Sequence, residues 1–185
     1  MEALLEGGAT FSETSIRRLI EEAGMSRTLF YAYFRNKSEL LGYWASEIRL
    51  RVADVAEGWW SLSRPEGPDE VYAALYAVIE DYLPHVRVMA ALFDAAAYDA
   101  DLRAQVEQTV ALHTSLVREH IAAGQRAGWV AADLVPAEAA PWLVWMLEMV
   151  HDPRLWAASD VERERLIRGA ARIVWNVLYA GPRAA

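Results

Sequence analysis

The chain has 185 residues, 18 basic and 26 acidic, with a net charge of −8 and an apolar fraction of 55%. That length holds one domain, or a small domain joined to a larger one, and the apolar content suffices for a packed core, which excludes a disordered chain. The absence of cysteine excludes disulfides, thiolate metal sites and thiol catalysis, and fits a cytoplasmic protein.

Strand-like alternation is missing, β-branched residues are sparse, and Ala and Leu abound, so the chain reads as all-α. A short helix is expected at about 2–6, ended by Gly7-Gly8. A second spans about 14–23, with Ser12 or Thr14 as N-cap candidates and Gly24 at its end. Ser26 caps a third over about 27–33, and Lys37 or Ser38 opens a long fourth reaching about Leu62. Ser63-Arg64-Pro65-Glu66-Gly67-Pro68 is a break. Helices follow at about 69–83 and 84–93, the latter started or kinked by Pro84. Asp99 or Asp101 leads into a long helix ending near Ala127-Gly128. A turn at Asp133 to Pro136 precedes a helix over about 137–150. Asp152-Pro153 breaks it, a short segment holds Arg154 to Ala158, and Ser159 or Asp160 caps a last helix over about 161–180, closed by Gly181-Pro182. No apolar run reaches the roughly 18 residues of a membrane span and no signal segment opens the chain, so a soluble protein with no membrane role is expected.

Charge is unevenly spread. Residues 1–51 hold Arg17, Arg18, Arg27, Arg35, Lys37, Arg49 and Arg51 against seven glutamates, so the net −8 falls on residues 52–185. Within the first part, Ser26 to Lys37 carries Arg27, Arg35 and Lys37 with no acid, and aromatics on both helical faces. An acid-free cationic helix in an acidic protein points to phosphate and base edges.

Ile16, Leu19, Ile20 and Ala23 form one apolar stripe at helical spacing. Phe30 and Phe34 are an i, i+4 pair on the next helix and are assigned to the core. Between them, Ala23-Gly24-Met25-Ser26 is a tight turn whose glycine suits a left-handed backbone. Two short helices, a glycine turn and a shared apolar seam make a helix-turn-helix.

The run from Leu19 to Leu41 resembles the signature of the tetracycline-repressor (TetR/AcrR) family of bacterial transcription regulators. The shared features are the Ala-Gly turn at 23–24, the aromatic pair Phe30 and Tyr31, the Tyr-Phe at 33–34, and the Asn-Lys start of the next helix. Beyond about 30 residues the likeness rests on length and helical order. The resemblance implies an N-terminal helix-turn-helix module over residues 1–38. A long helix would join it to a ligand-binding and dimerisation bundle over 39–185. It places a recognition helix at about 27–33 in the major groove. Ser15, Arg17, Ser26, Arg27, Thr28, Leu29, Tyr31, Tyr33 and Lys37 are the DNA-facing set it implies. Arg27 would pair with guanine, Tyr31 and Tyr33 would bond phosphates, and Lys37 would anchor a phosphate at a helix N-terminus. Ser15 and Arg17 would hold the opposite backbone. One departure is the short, acidic stretch Met1 to Glu6 where the family has a full first helix, so the expectation is that the natural start lies upstream of Met1 or that the chain was shortened.

Eight tryptophans stand in the chain, all but Trp44 beyond residue 58. Helix bundles rich in aromatics and Met often enclose a ligand cavity, and the resemblance points the same way. Trp59, Trp60, Tyr72, Tyr76, Met89, Phe93, Tyr98, His113, Trp142, Trp145, Met146 and Met149 are the candidate ligand contacts, for a bulky apolar or aromatic effector. Trp142, Trp145, Met146 and Met149 share one face, and Ile173, Val174, Val177 and Leu178 extend an apolar theme on the last helix. The resemblance makes these two helices the homodimer interface, with a palindromic double-stranded DNA operator. It implies a repressor that leaves DNA when effector moves the helices over 69–127 and, through the helix over 38–62, changes half-site spacing. The alternative is a helical small-molecule-binding protein that has lost operator binding. No His-Glu-x-x-His, nucleophile elbow or phosphate loop appears, so no catalytic residue, metal ligand or cofactor is assigned. His113 reads as a pocket or core histidine.

Overall fold

The computed structural model describes residues 10–60 and 64–180, the side chains of 53–60 and 153 excepted. All regular elements among them are helical: α1 (Ile16–Glu22), α2 (Arg27–Tyr33), α3 (Lys37–Trp60), α4 (Pro68–Tyr82), α5 (Val86–Ala96), α6 (Ala100–Ala127), α7 (Pro136–Leu147), α8 (Pro153–Ala157) and α9 (Asp160–Leu178). Short 3₁₀ turns at Leu83–His85 and Glu148–His151 precede α5 and follow α7. No helix among the described residues is long and apolar enough to cross a membrane. The helix expected at 2–6, and the Gly7-Gly8 and Gly181-Pro182 ends, lie outside the described residues.

Local chemistry sets the boundaries. Ser15, rather than Ser12 or Thr14, caps α1, accepting from the Arg18 amide. Thr14 is instead buried, with its hydroxyl donating to the Thr10 carbonyl at 2.8 Å. Asn36 Oδ1 accepts from the Glu39 amide at the head of α3, and Asp99 Oδ1 accepts from the Asp101 and Leu102 amides at the head of α6. The helix expected over 137–150 gives up α geometry at Leu147 and tightens into a 3₁₀ turn before Asp152-Pro153. Ser159 and Glu162 form a reciprocal capping box on α9, a device worth about 1 kcal/mol.

The chain forms two compact units, Met1–Arg51 with Pro84–Gln108, and Val52–Leu83 with Thr109–Ala185. In the first, Leu41, Val88, Leu92 and Leu102 are fully buried. In the second, α4 packs against α9. Val71, Leu75 and Ile79 from α4 meet Ile167, Ala171, Val174 and Leu178 from α9 in one core that also takes Val117, Ile121, Leu143 and Leu155. Each full burial of a large aliphatic side chain contributes about 1.5–3 kcal/mol.

At the end of α6 the chain folds back, with the Trp129 and Val130 amides both donating to the Gly124 carbonyl at 3.0 and 3.2 Å. Trp129 then lies on the bare α-carbon of Gly124, where a Cβ would fall 2.5 Å from its Cζ3. Gly124→Ala should therefore destabilise the protein by about 1–3 kcal/mol through overpacking. Thermal denaturation followed by tryptophan fluorescence measures this, and an unchanged midpoint would mean the ring can move aside.

Candidate nucleic-acid interface

Helix α2 runs over Arg27–Tyr33, and Ser26 caps it by accepting from the Leu29 amide at 3.1 Å. The turn before it closes with the Met25 amide on the Ile20 carbonyl at 2.9 Å, and Gly24 takes φ +62°. A side chain there would be strained. Of the seven α2 residues only Phe30 is buried, at 1% exposure; the other six are exposed. Phe30 seats α2 in its module and makes an edge contact with Tyr31 at 5.3 Å and a tilted one with Phe34 at 5.8 Å. Across the seam, Leu19 is buried, Ile16 and Ile20 are partly covered, and Ala23 is exposed. Phe34 ends α2 in an extended backbone and touches Tyr43 at 5.8 Å.

The exposed α2 surface carries Arg27, Thr28, Leu29, Tyr31 and Tyr33, with Tyr33 72% exposed. Ser15 and Arg17 are exposed at the start of α1. The cations differ in their partners. Arg17 pairs with Glu21 at 2.7 Å. Arg35 pairs with Glu39 through its side chain at 3.2 Å and its backbone amide at 2.5 Å. Arg27 and Arg18 form no ion pair among the described residues, and the Arg27 guanidinium rests 5.6 Å from the Tyr31 ring centre. Lys37 turns inward and gives its ammonium to the Phe11, Ser12 and Thr14 carbonyls. The stretch that contains no acid is thus partly neutralised by Glu39 just outside it.

The twelve residues expected at a ligand are dispersed. Met89, Phe93 and Tyr98 belong to the first unit, where Met89 is buried and Tyr98 is 93% exposed. Tyr72, Met146 and Met149 of the second unit pack on its one core, and His113 is half-buried there. Tyr76 is exposed, and the Glu80 carboxylate accepting from its hydroxyl holds its pKa above the ordinary value. Trp142 and Trp145 face outward at 70% and 56% exposure, ring against ring at 5.0 Å. The side chains of Trp59 and Trp60 lie outside the described residues.

Two clusters went unread in the sequence. His120 Nε2 bonds the Tyr179 hydroxyl at 2.7 Å in the interior, beside Trp129. Tyr82 stacks on Trp156 at 5.6 Å and meets the edge of His151, whose Nδ1 pairs with Glu148 at 2.9 Å. Each cluster joins segments far apart in the chain, Tyr179 to His120 and Tyr82 to His151 and Trp156, so no local spacing announces it. No group of three or more potential ligands for a metal ion occurs among the described residues.

This geometry defines an all-α protein with an N-terminal helix-turn-helix. Residues 8–43 match the family of bacterial regulatory proteins named tetR, so the N-terminal module of the chain is of that family's type. Solved structures share the fold, among them the following three. A protein described as a TetR-family transcriptional regulator from Rhodococcus sp. aligns with TM-score 0.72 and 20% identity over 94% of this chain and 93% of its own. GusR of Salmonella enterica aligns with TM-score 0.73 and 16% identity, over 96% and 90%. A protein from Syntrophomonas wolfei described in the same terms aligns with TM-score 0.69 and 15% identity, over 98% and 93%. Among curated proteins none matches the chain in sequence. TetR-family regulators are in general non-enzymatic DNA-binding proteins.

The Arg35 amide, followed by its side chain, holds the Glu39 carboxyl below its ordinary 4.5. A lowered carboxylate stabilises the fold above that ordinary value and loses its contribution as pH falls through the lowered one. Titration by NMR should place Glu39 below 4.5, and Glu39→Gln should flatten the acid limb of stability between those two values. An ordinary Glu39 titration would show that the α2–α3 tie is not held in solution.

Proposed function

We propose that this protein is a ligand-responsive transcription regulator that binds a palindromic DNA operator as a homodimer and is released by a bulky apolar or aromatic effector. Residues 1–38 act as the DNA-binding domain and 39–185 as the effector-binding and dimerisation domain. The observation that carries the reading is α2 itself. It buries Phe30 alone and offers the rest of its length to a groove, with Arg27 in no ion pair among the described residues. Arg27 reads guanine, Thr28 and Leu29 lie beside it, and Tyr31 and Tyr33 reach phosphates. Ser15 and Arg17 meet the backbone across the groove.

The dimer forms through α7 and α9, which pack on one another within the second unit. Their outer surface is apolar and uncovered, with Trp142 and Trp145 on α7 and Leu166, Ile173 and Val177 on α9. Gly169 lies in the same α9 stripe, and a Cβ there would meet nothing within 4 Å, which leaves room for close approach of a second copy. Such a patch on a single chain marks an interface. Trp142 and Trp145 belong to that face rather than to the effector, which is held in the second unit among residues such as Tyr72, His113, Met146 and Met149. Effector binding moves α3, a single helix that starts in the first unit and ends in the second, and the half-site spacing changes.

A second reading, a small-molecule-binding protein without operator binding, draws on the pairing of Arg17 with Glu21 and Arg35 with Glu39. Fluorescence anisotropy with the DNA flanking the gene, at two salt concentrations, separates the two. A regulator binds selectively and loses affinity steeply as salt rises; absence of selective, salt-sensitive binding favours the second reading.

Two variants extend the test. Arg27→Ala should weaken operator binding roughly ten-fold or more and relax specificity at one base pair; equal affinity would remove α2 from base recognition. Trp142→Glu should convert the dimer to a monomer in sedimentation equilibrium and weaken DNA binding with it. A persistent dimer would place the interface elsewhere.

A further inference from the structure

We propose that Lys37 is a positioning residue of the DNA-binding module: its ammonium ties the head of α3 to the turn that launches α1, instead of anchoring a phosphate. The inference rests on the DNA-binding reading for its consequence but not for its geometry. Lys37 Nζ lies 2.9 Å from the Phe11 carbonyl oxygen, 2.9 Å from that of Ser12 and 3.3 Å from that of Thr14. An ammonium has three N–H donors, so all three are engaged. The same cation stands 4.7 Å from the Phe11 ring centre, a favourable position over a π face. Hydrogen bonds from a charged donor are roughly twice as strong as neutral ones.

The segment Lys37 holds is built to receive it. The Thr10 hydroxyl donates to Glu13 Oε2 at 2.7 Å, and the Thr14 amide and hydroxyl both turn back to the Thr10 carbonyl at 3.1 and 2.8 Å. The turn is thereby closed on one side, with the Phe11, Ser12 and Thr14 carbonyls facing the ammonium. Ser15, the next residue, is the N-cap of α1. One cation therefore sets the direction in which α1 begins, and with it the place of Ser15 and Arg17. It reaches across more than twenty residues to do so, and α1, the Gly24 turn and α2 all lie between its two attachment points. Any displacement of the α3 head carries the α1 start along with it. For Lys37 to reach a phosphate, at least one of these bonds would have to break.

Lys37 is the only lysine in the chain, which makes the test clean. Protein labelled with ¹⁵N-lysine should show one side-chain ammonium signal, slowed in hydrogen exchange without DNA and unmoved when a mixed-sequence duplex is added to saturation. A freely exchanging ammonium, or a signal that shifts on the duplex, overturns the proposal. Lys37→Met keeps the stem and removes the charge. It should speed exchange of the α1 first-turn amides about ten-fold or more while the Phe30 amide is retained. It should also lower duplex affinity with the slope of log K against log salt unchanged. A slope smaller by about one would assign Lys37 to a phosphate and overturn the proposal. If the wild-type protein binds no duplex, the DNA-binding reading fails, and the free-protein ammonium signal and amide exchange still decide the tie. If the Met variant does not fold, the ammonium signal of the wild type decides it.

Discussion

Burial of Phe30 is the constraint on which the helix-turn-helix module depends. A seven-residue helix is too short to hold itself in water, so α2 persists through what surrounds it. Phe30 is its one buried side chain, Ser26 satisfies an amide at its head, and Gly24 supplies the left-handed turn through which α2 packs on α1. Because a single side chain seats the helix, the others stay exposed. The economy that makes α2 fragile is the same economy that leaves its surface available to a partner.

Charge in the module is arranged by pairing rather than by number. Arg17 and Arg35 each answer a glutamate four residues on, Lys37 answers three carbonyls, and Arg27 answers no acid among the described residues. The cations that brace the helices are thus distinct from the one that stands at the head of α2. Exposed i, i+4 pairs contribute little to stability, so those of Arg17 and Arg35 can exchange partners at modest cost. Lys37 is held more firmly.

What was legible in the sequence was local. The Ala-Gly turn, Ser26 and Phe30 place α2 at Arg27–Tyr33 as expected, and the family resemblance rests on the same short stretch. Asp99 and Ser159, each one of two residues expected at those positions, cap α6 and α9, while Asp152 caps α8 where only a break was expected. The head of α1 was misread because Ser12, Thr14 and Ser15 are all capping residue types, and only tertiary burial shows that Thr14 turns inward. The ligand set was the least legible. Counting aromatics does not reveal which face of a helix they occupy. Trp142 and Trp145 point outward while Tyr72 packs on the core. Contacts such as His120 with Tyr179, 59 residues away, follow from packing that no local period encodes.

The most direct test of α2 as the reading helix is a dimethyl sulfate footprint on the DNA flanking the gene. The reagent methylates guanine N7 in the major groove and adenine N3 in the minor groove. The account predicts protection of guanines in two clusters about one helical turn apart. Protection confined to minor-groove adenines, or none at concentrations where the protein is bound, would contradict it.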